Sequence, residues 1–202
     1  VRSSKTGVID GKIKCYTISI DACGRYWLSL IVEKKSAFLP KTGKAVGIDV
    51  GLTHLAILSD GRKFDRFSSD FCEKQAEIWQ SKSSKRRHLA FVKSQQEANK
   101  KVLGAKSLSD YRNWQKANVA KNRYMSRITN QRDDYLHKIT DQLVKKYDVI
   151  VIEDLKIKNM TKNHHLARSI LRQSWGKFRK MLEYKCKKYG KILIKVNPAY
   201  TS

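Results

Sequence analysis

The chain has 202 residues and a formal charge of +25, from 43 Lys and Arg against 18 Asp and Glu, and 41% of it is hydrophobic. That length allows one domain, or one domain with a piece of another, and the patterned apolar runs can fill a core. The charge calls for a polyanionic partner such as nucleic acid, while the lack of any apolar run near the roughly 20 residues that span a bilayer excludes a membrane-spanning helix.

In chain order, residues 12–33 alternate in polarity around Asp21-Ala22-Cys23-Gly24, which predicts a β-hairpin. A linker with Pro40 and Gly43 follows, from Glu33 to Lys44. Val46–Val50 is continuous and apolar and predicts a strand buried on both faces. Leu55–Leu58 and Lys63–Phe67 predict two more strands, joined by a tight turn at Ser59-Asp60-Gly61. A first long helix is expected from about Phe71 to Val102, ending near Gly104. A second is expected from an N-cap at Ser109 to about Tyr147, with Ile128, Tyr135, Ile139 and Leu143 on one face. Val149–Glu153 is a further core strand, and a polar, basic loop runs from Lys156 to His165. A last helix over 166–189 is stopped by Gly190, and Lys191–Val196 is the final strand. The order predicts a mixed α/β layer with Val46–Val50 central.

The four cysteines, Cys15, Cys23, Cys72 and Cys186, form no CxxC pair. This argues against zinc within the chain, and lone cysteines suit a reducing cytoplasm. The chain starts at Val1 without Met and stops at Ser202 just past a strand, so it reads as an internal piece of a longer protein.

Two acids carry the chemistry. Asp49 closes one apolar strand and Glu153 closes another. Two-metal hydrolysis of a phosphodiester needs carboxylates that bridge cations about 4 Å apart. Mg²⁺, or Mn²⁺ in its place, takes one or two carboxylates, with water and substrate phosphate completing its shell. If the two strands pair in parallel, both side chains reach one site. Gly47 and Gly51 would let a backbone approach closely and leave room for substrate. The plainer alternative makes Asp49 a turn residue and Glu153-Asp154 a cap. Asp154 is the weaker ligand candidate, because neighbours on a strand point to opposite faces. Asp60 reads as a turn residue, His164-His165 as a solvated loop pair and His137 as a packed histidine.

Lys82, Lys85, Arg86, Arg87 and Lys93, interleaved with Trp79 and Phe91, form a helix that can follow a phosphate backbone; a solvated helix face is the alternative. Arg168, Arg172, Lys177 and Arg179 form a second basic set.

Several segments in order resemble the TnpB family, the OrfB-type transposon-encoded RNA-guided DNA endonucleases related to type V CRISPR effectors. They are Val46–Leu52, Ala56–Gly61, Arg132–Lys138, Val149–Leu155, Trp175–Lys185 and Val196–Ser202. The resemblance implies an RNase H-like (RuvC) mixed sheet with a long helical insert at about 71–147, occupying residues 41–202. It implies that residues 1–40 end a β-barrel wedge domain. It gives Asp49 and Glu153 the places of two catalytic, metal-holding carboxylates, and it implies a guide RNA, a target DNA and a cytoplasmic, nucleoid-associated setting. In the family, a zinc ribbon and a third catalytic Asp follow the segment at which this chain ends, so the isolated chain is expected to be inactive. Two other functions stay open: a nuclease-inactive RNA-guided repressor, and a guide-independent, structure-specific nuclease. Oligomeric state is not legible.

Overall fold

The computed structural model describes residues 9, 11–34, 38–100, 104–155 and 173–197. The chain divides into two compact units, Val1–Lys35 with Ser69–Thr129, and Ser36–Ser68 with Asn130–Ser202.

In the first unit, β1 (Lys12–Ile20) and β2 (Tyr26–Glu33) form the expected antiparallel hairpin. Asp21 holds its turn. Its carboxylate accepts from the Cys23 and Arg25 amides at 2.8 and 3.0 Å, from Arg25 Nε at 2.8 Å and from Trp27 Nε1 at 3.0 Å. These bonds push the Asp21 carboxyl well below the usual carboxylate range. The hairpin leaves large apolar side chains in solvent, among them Tyr16, Ile18 and Ile31. The same unit holds α1 (Asp70–Asn99) and the first part of α2 (Arg112–Lys146). Its buried α1 residues, Cys72, Ala76, Ser83 and Ala90, lie along one stripe of the helix.

The entry to α2 differs from the sequence expectation. A short 3₁₀ turn, Leu108–Asp110, precedes it, and Ser107 rather than Ser109 is its cap. Asp110 accepts from the Ser107 amide at 2.9 Å and from its hydroxyl at 2.7 Å. That reciprocal pairing needs an acid three residues after the cap, which Ser107 has and Ser109 lacks.

The second unit is built on a five-stranded sheet. In chain order its strands are β3 (Ala45–Asp49), β4 (His54–Leu58), β5 (Lys63–Asp65), β6 (Val149–Glu153) and β7 (Ile192–Val196). Their spatial order is β5-β4-β3-β6-β7, so β3 is central as expected. β3 pairs antiparallel with β4 and parallel with β6, and β7 extends the parallel side. Helix α3 (Trp175–Tyr189) lies between β6 and β7 in sequence. Of the helix expected over 166–189, residues 166–172 fall outside the described residues.

One expectation is overturned. β3 is buried on one face only: Val46 and Ile48 are buried, whereas Ala45 and Asp49 are exposed. β6 alternates in the same way, with Ile150 and Ile152 buried. The core explains this. Leu136, Ile139, Leu143 and Val144 of α2 and Phe178, Met181 and Leu182 of α3 pack with Val46, Ile48, Ile150 and Ile152 in one cluster. These helices cover one side of the sheet, so an apolar run alone did not fix two-sided burial.

Polar ties fix the ends of this layer. Gly190 ends α3 in the left-handed region (φ 68°), and a Cβ there would sit 2.8 Å from the Phe38 ring, so glycine is required twice over. Buried Lys191 donates to Pro40 O at 2.8 Å and to Asp148 Oδ1 at 2.5 Å. Asp148 Oδ2 accepts from the Thr42 and Gly43 amides, each at 2.6 Å. This clamp fastens the linker into β3 beside the start of β6. Asp60, as expected, stands in the β4–β5 turn, where Tyr147 and Arg62 donate to it.

Candidate metal centre and nucleic-acid interface

The site follows from strand register. In the parallel pair, Ala45 lies opposite Val149 and Ile48 opposite Ile152. Ile48 and Ile152 both face the helical core. Because side chains alternate, the next residue of each strand, Asp49 and Glu153, turns to the opposite, open face. Both are the last residues of their strands, and neighbouring parallel strands run about 4.8 Å apart. Ile57 lies opposite Asp49, and Val196 lies opposite Glu153. The structure thus brings together the two acids singled out in the sequence. They line one open cleft of about 450 Å³ with Gly47, Ile57, Ser59, Val151 and Val196. Asp49 is exposed and Glu153 half-buried.

Asp154 turns the other way, as strand alternation requires. Its carboxylate meets Arg179 of α3, and its amide donates to Val196 O at 2.8 Å. Ser59 was not singled out in the sequence. Its hydroxyl accepts from the Gly47 amide at 3.0 Å, and its own amide donates to Gly47 O at 2.9 Å. Antiparallel register was the signal that could have found it: two residues beyond Ile57, it falls beside Gly47. A Cβ on Gly47 would meet nothing closer than 3.7 Å, and one on Gly51 nothing closer than 3.4 Å. No protein backbone therefore demands glycine at either position, and what Gly47 preserves is open space on the cleft floor. His137 is exposed rather than packed, with Tyr184 Oη 3.3 Å from its Nδ1.

The basic residues of α1 are all exposed: Lys82, Lys85, Arg86, Arg87 and Lys93. Lys82 Nζ sits 4.7 Å from the centre of the Trp79 ring, and Arg86 donates to Asn113 O at 3.2 Å. Arg87 lines a shallow groove with Ser84, His88 and Phe91. Lys177 Nζ lies 2.5 Å from Asp133 Oδ1, an ion pair by distance without hydrogen-bond alignment. Arg168, Arg172 and the His164-His165 pair lie outside the described residues.

The donor set bears on which metal would suit. Two carboxylates in an open cleft offer hard oxygen ligands, which fit Mg²⁺ or Mn²⁺ with phosphate and water completing the shell. Among the described residues, no cluster of three or more His, Cys, Asp or Glu can hold a metal. Cys15, Cys23, Cys72 and Cys186 are all free thiols, and Cys72 and Cys186 are buried. Burial raises the Cys186 thiol to about 11. A thiol held protonated is a poor zinc ligand. Among the described residues, no helix is long and apolar enough to cross a membrane.

Comparison with known proteins adds an independent line. Residues 29–164 match the OrfB_IS605 family model, described as a probable transposase. Residues 175–202 match the Cas12f1-like TNB domain model. A protein of Streptomyces pristinaespiralis named "Putative RNA-guided DNA endonuclease" is 36% identical over 186 residues, covering 92% of this chain and 41% of that protein. The "Putative RNA-guided DNA endonuclease InsQ" of Escherichia coli K12 is 34% identical over 210 residues, covering 96% of this chain and 47% of its own length. A TnpB-like protein of Methanocaldococcus jannaschii is 37% identical over 83 residues, 40% of this chain and 38% of that protein. The chain therefore spans less than half the length of these relatives.

Proposed function

The chain belongs to the OrfB (TnpB) family of transposon-encoded proteins, and from this premise we propose that it carries the catalytic core of an RNA-guided, Mg²⁺-dependent DNA endonuclease. The observation that carries the proposal is the parallel register of β3 and β6, which sets Asp49 and Glu153 on one face at one end of one sheet. In this reading the sheet is an RNase H-like (RuvC) layer over residues 41–202, with the helical stretch at about 71–147 as its insert. The hairpin belongs to a wedge-type β-barrel ending near residue 40. Guide RNA and target DNA are the partners.

Asp49 and Glu153 would hold Mg²⁺, or Mn²⁺ in its place. When bound, the cation supplies charge stabilisation for the attacking and leaving oxygens of a phosphodiester. The chain's own residues do the rest. The two strand ends present carboxylates from a rigid layer, so little reorganisation is needed when phosphate arrives. The open face above Gly47 admits the substrate backbone. Lys82, Lys85, Arg86, Arg87 and Lys93, with Arg168, Arg172 and Lys177, neutralise phosphates without reading bases. Target choice falls to base pairing with the guide.

The test is cleavage of guide-matched DNA by the full-length protein carrying Asp49→Ala. A fall of at least about 100-fold is expected, the scale at which removing one preorganised transition-state contact acts. Full cleavage by this variant removes Asp49 from the mechanism. Guide-dependent DNA binding by the unaltered protein, with no cleavage at any Mg²⁺ concentration, would indicate a repressor instead.

A further inference from the structure

Each of the two carboxylate strands is followed by a short segment, and the stretch from Gln173 into the first turns of α3 reaches both segments. Beyond Asp49, the chain passes through Val50 and Gly51 to Leu52. Gln173, only 7% exposed, donates from Nε2 to Leu52 O at 2.9 Å. Beyond Glu153 stands Asp154, whose carboxylate receives Arg179 Nη1. Gln173 and Arg179 come from one short stretch of chain at the start of α3. Between them, Ser174 takes a left-handed step (φ 55°), an uncommon conformation for a non-glycine residue, while its carbonyl starts the helix by accepting from the Lys177 and Phe178 amides at 2.8 and 3.0 Å. Phe178, fully buried in the core, locks the first turn of α3 against the sheet.

The Arg179 contact is part of a chain of charges. Glu183, one turn along α3, lies 3.9 Å from Arg179 Nε and accepts Lys195 Nζ at 2.6 Å. Lys195 is the β7 residue just before Val196, the register partner of Glu153. The Asp154 amide closes the loop by donating to Val196 O at 2.8 Å. Glu153 is therefore flanked by Asp154, just past its strand, and by Lys195 on the next strand, both tied to α3. Apart from Glu153 itself, only Val196 of these residues lines the cleft; Gln173, Arg179, Asp154, Glu183 and Lys195 are not among its lining residues.

We propose that Gln173 and Arg179 are positioning residues: by pinning Leu52 and Asp154, the start of α3 sets the spacing and direction of Asp49 and Glu153. The inference rests on the metal-site reading above. Two carboxylates from different strands bind one cation tightly only when their separation is fixed, because the ion otherwise bears the entropy of ordering them. Partners that orient metal ligands from behind typically change metal affinity or activity by about 10- to 100-fold when removed. Arg179 suits this role better than a lysine would, since its planar fork fixes direction as well as charge.

The experiment is a Mn²⁺ titration of the full-length protein, read by electron paramagnetic resonance and paired with thermal melts. The proteins are the unaltered chain, Asp49→Ala, Gln173→Leu, Arg179→Met, Asp154→Asn and Arg179→Lys. Gln173→Leu and Arg179→Met are each expected to weaken Mn²⁺ binding by about 10-fold or more while the folded fraction at 25 °C stays above nine-tenths. Asp154→Asn should match Arg179→Met, since it breaks the same contact from the other side, and Arg179→Lys should recover part of the loss. A residue that only held the fold would shift the melt and leave the affinity of the folded protein unchanged. If Asp49→Ala weakens Mn²⁺ while both positioning variants bind like the unaltered chain, the positioning role is overturned and the metal site stands. If Asp49→Ala also binds like the unaltered chain, the metal site itself falls, and the inference with it.

Discussion

At the scale of the residue, the site depends on alternation along two strands. Asp49 and Glu153 line the cleft side of the sheet because Ile48 and Ile152 face the core, and a one-residue slip in either strand would turn a carboxylate toward the core. Gly47 sharpens the point. The fold has room for a side chain there, so its smallness matters to whatever enters the cleft. Gly47→Val is expected to shift the melting temperature by no more than about 4 °C, the effect of roughly 1 kcal/mol. It should cut DNA cleavage at least about 10-fold by filling the cleft floor. Loss of folding together with activity would show that Gly47 is a structural residue. The two acids were legible in the sequence because each closes an apolar run. Ser59, Gln173 and Arg179 were not, because each acts through a contact distant in sequence. Gln173 reaches back to Leu52 and Arg179 to Asp154, and no periodicity marks such pairs.

At the scale of the element, both hairpins, the central place of β3 and the strand–helix–strand return through α3 were readable from apolar runs and turn residues. Burial was not. The run Ala45–Val50 looks two-sided, yet α2 and α3 cover a single face, and only packing decides which side stays open. The clamp between the β3 linker and β6 makes a prediction about pH. Asp148 is lowered from 3.8 to about 2, first by the hydrogen bond from Lys191; desolvation opposes the shift, and the Gly43 and Thr42 amides add to it. A depressed carboxyl contributes stability that is present above its unfolded pKa and lost as pH falls through the folded one. Urea denaturation of the chain should therefore show stability declining between about pH 4 and pH 2. Asp148→Asn should remove part of that slope and lower stability at pH 7. An unchanged slope would mean that the clamp does not outlast the competition from water.

At the scale of the whole molecule, a charge of +25 favours association with polyanions. Counterion release makes the logarithm of the binding constant fall linearly with the logarithm of salt concentration. Replacing Lys82 and Lys93 together with Gln should reduce that slope by about 2 if each contacts one phosphate, with equal effect on matched and unmatched DNA. A slope that stays unchanged would leave these lysines as a solvated helix face. Charge and family resemblance were legible from residues alone, whereas the convergence of Asp49 and Glu153 needed the register of β3 against β6. That convergence is tested most directly by anomalous diffraction from crystals of the chain soaked in Mn²⁺. The account predicts an anomalous peak in the cleft within coordination distance of both Asp49 and Glu153. A well-occupied peak elsewhere, with none between these two side chains, would contradict it.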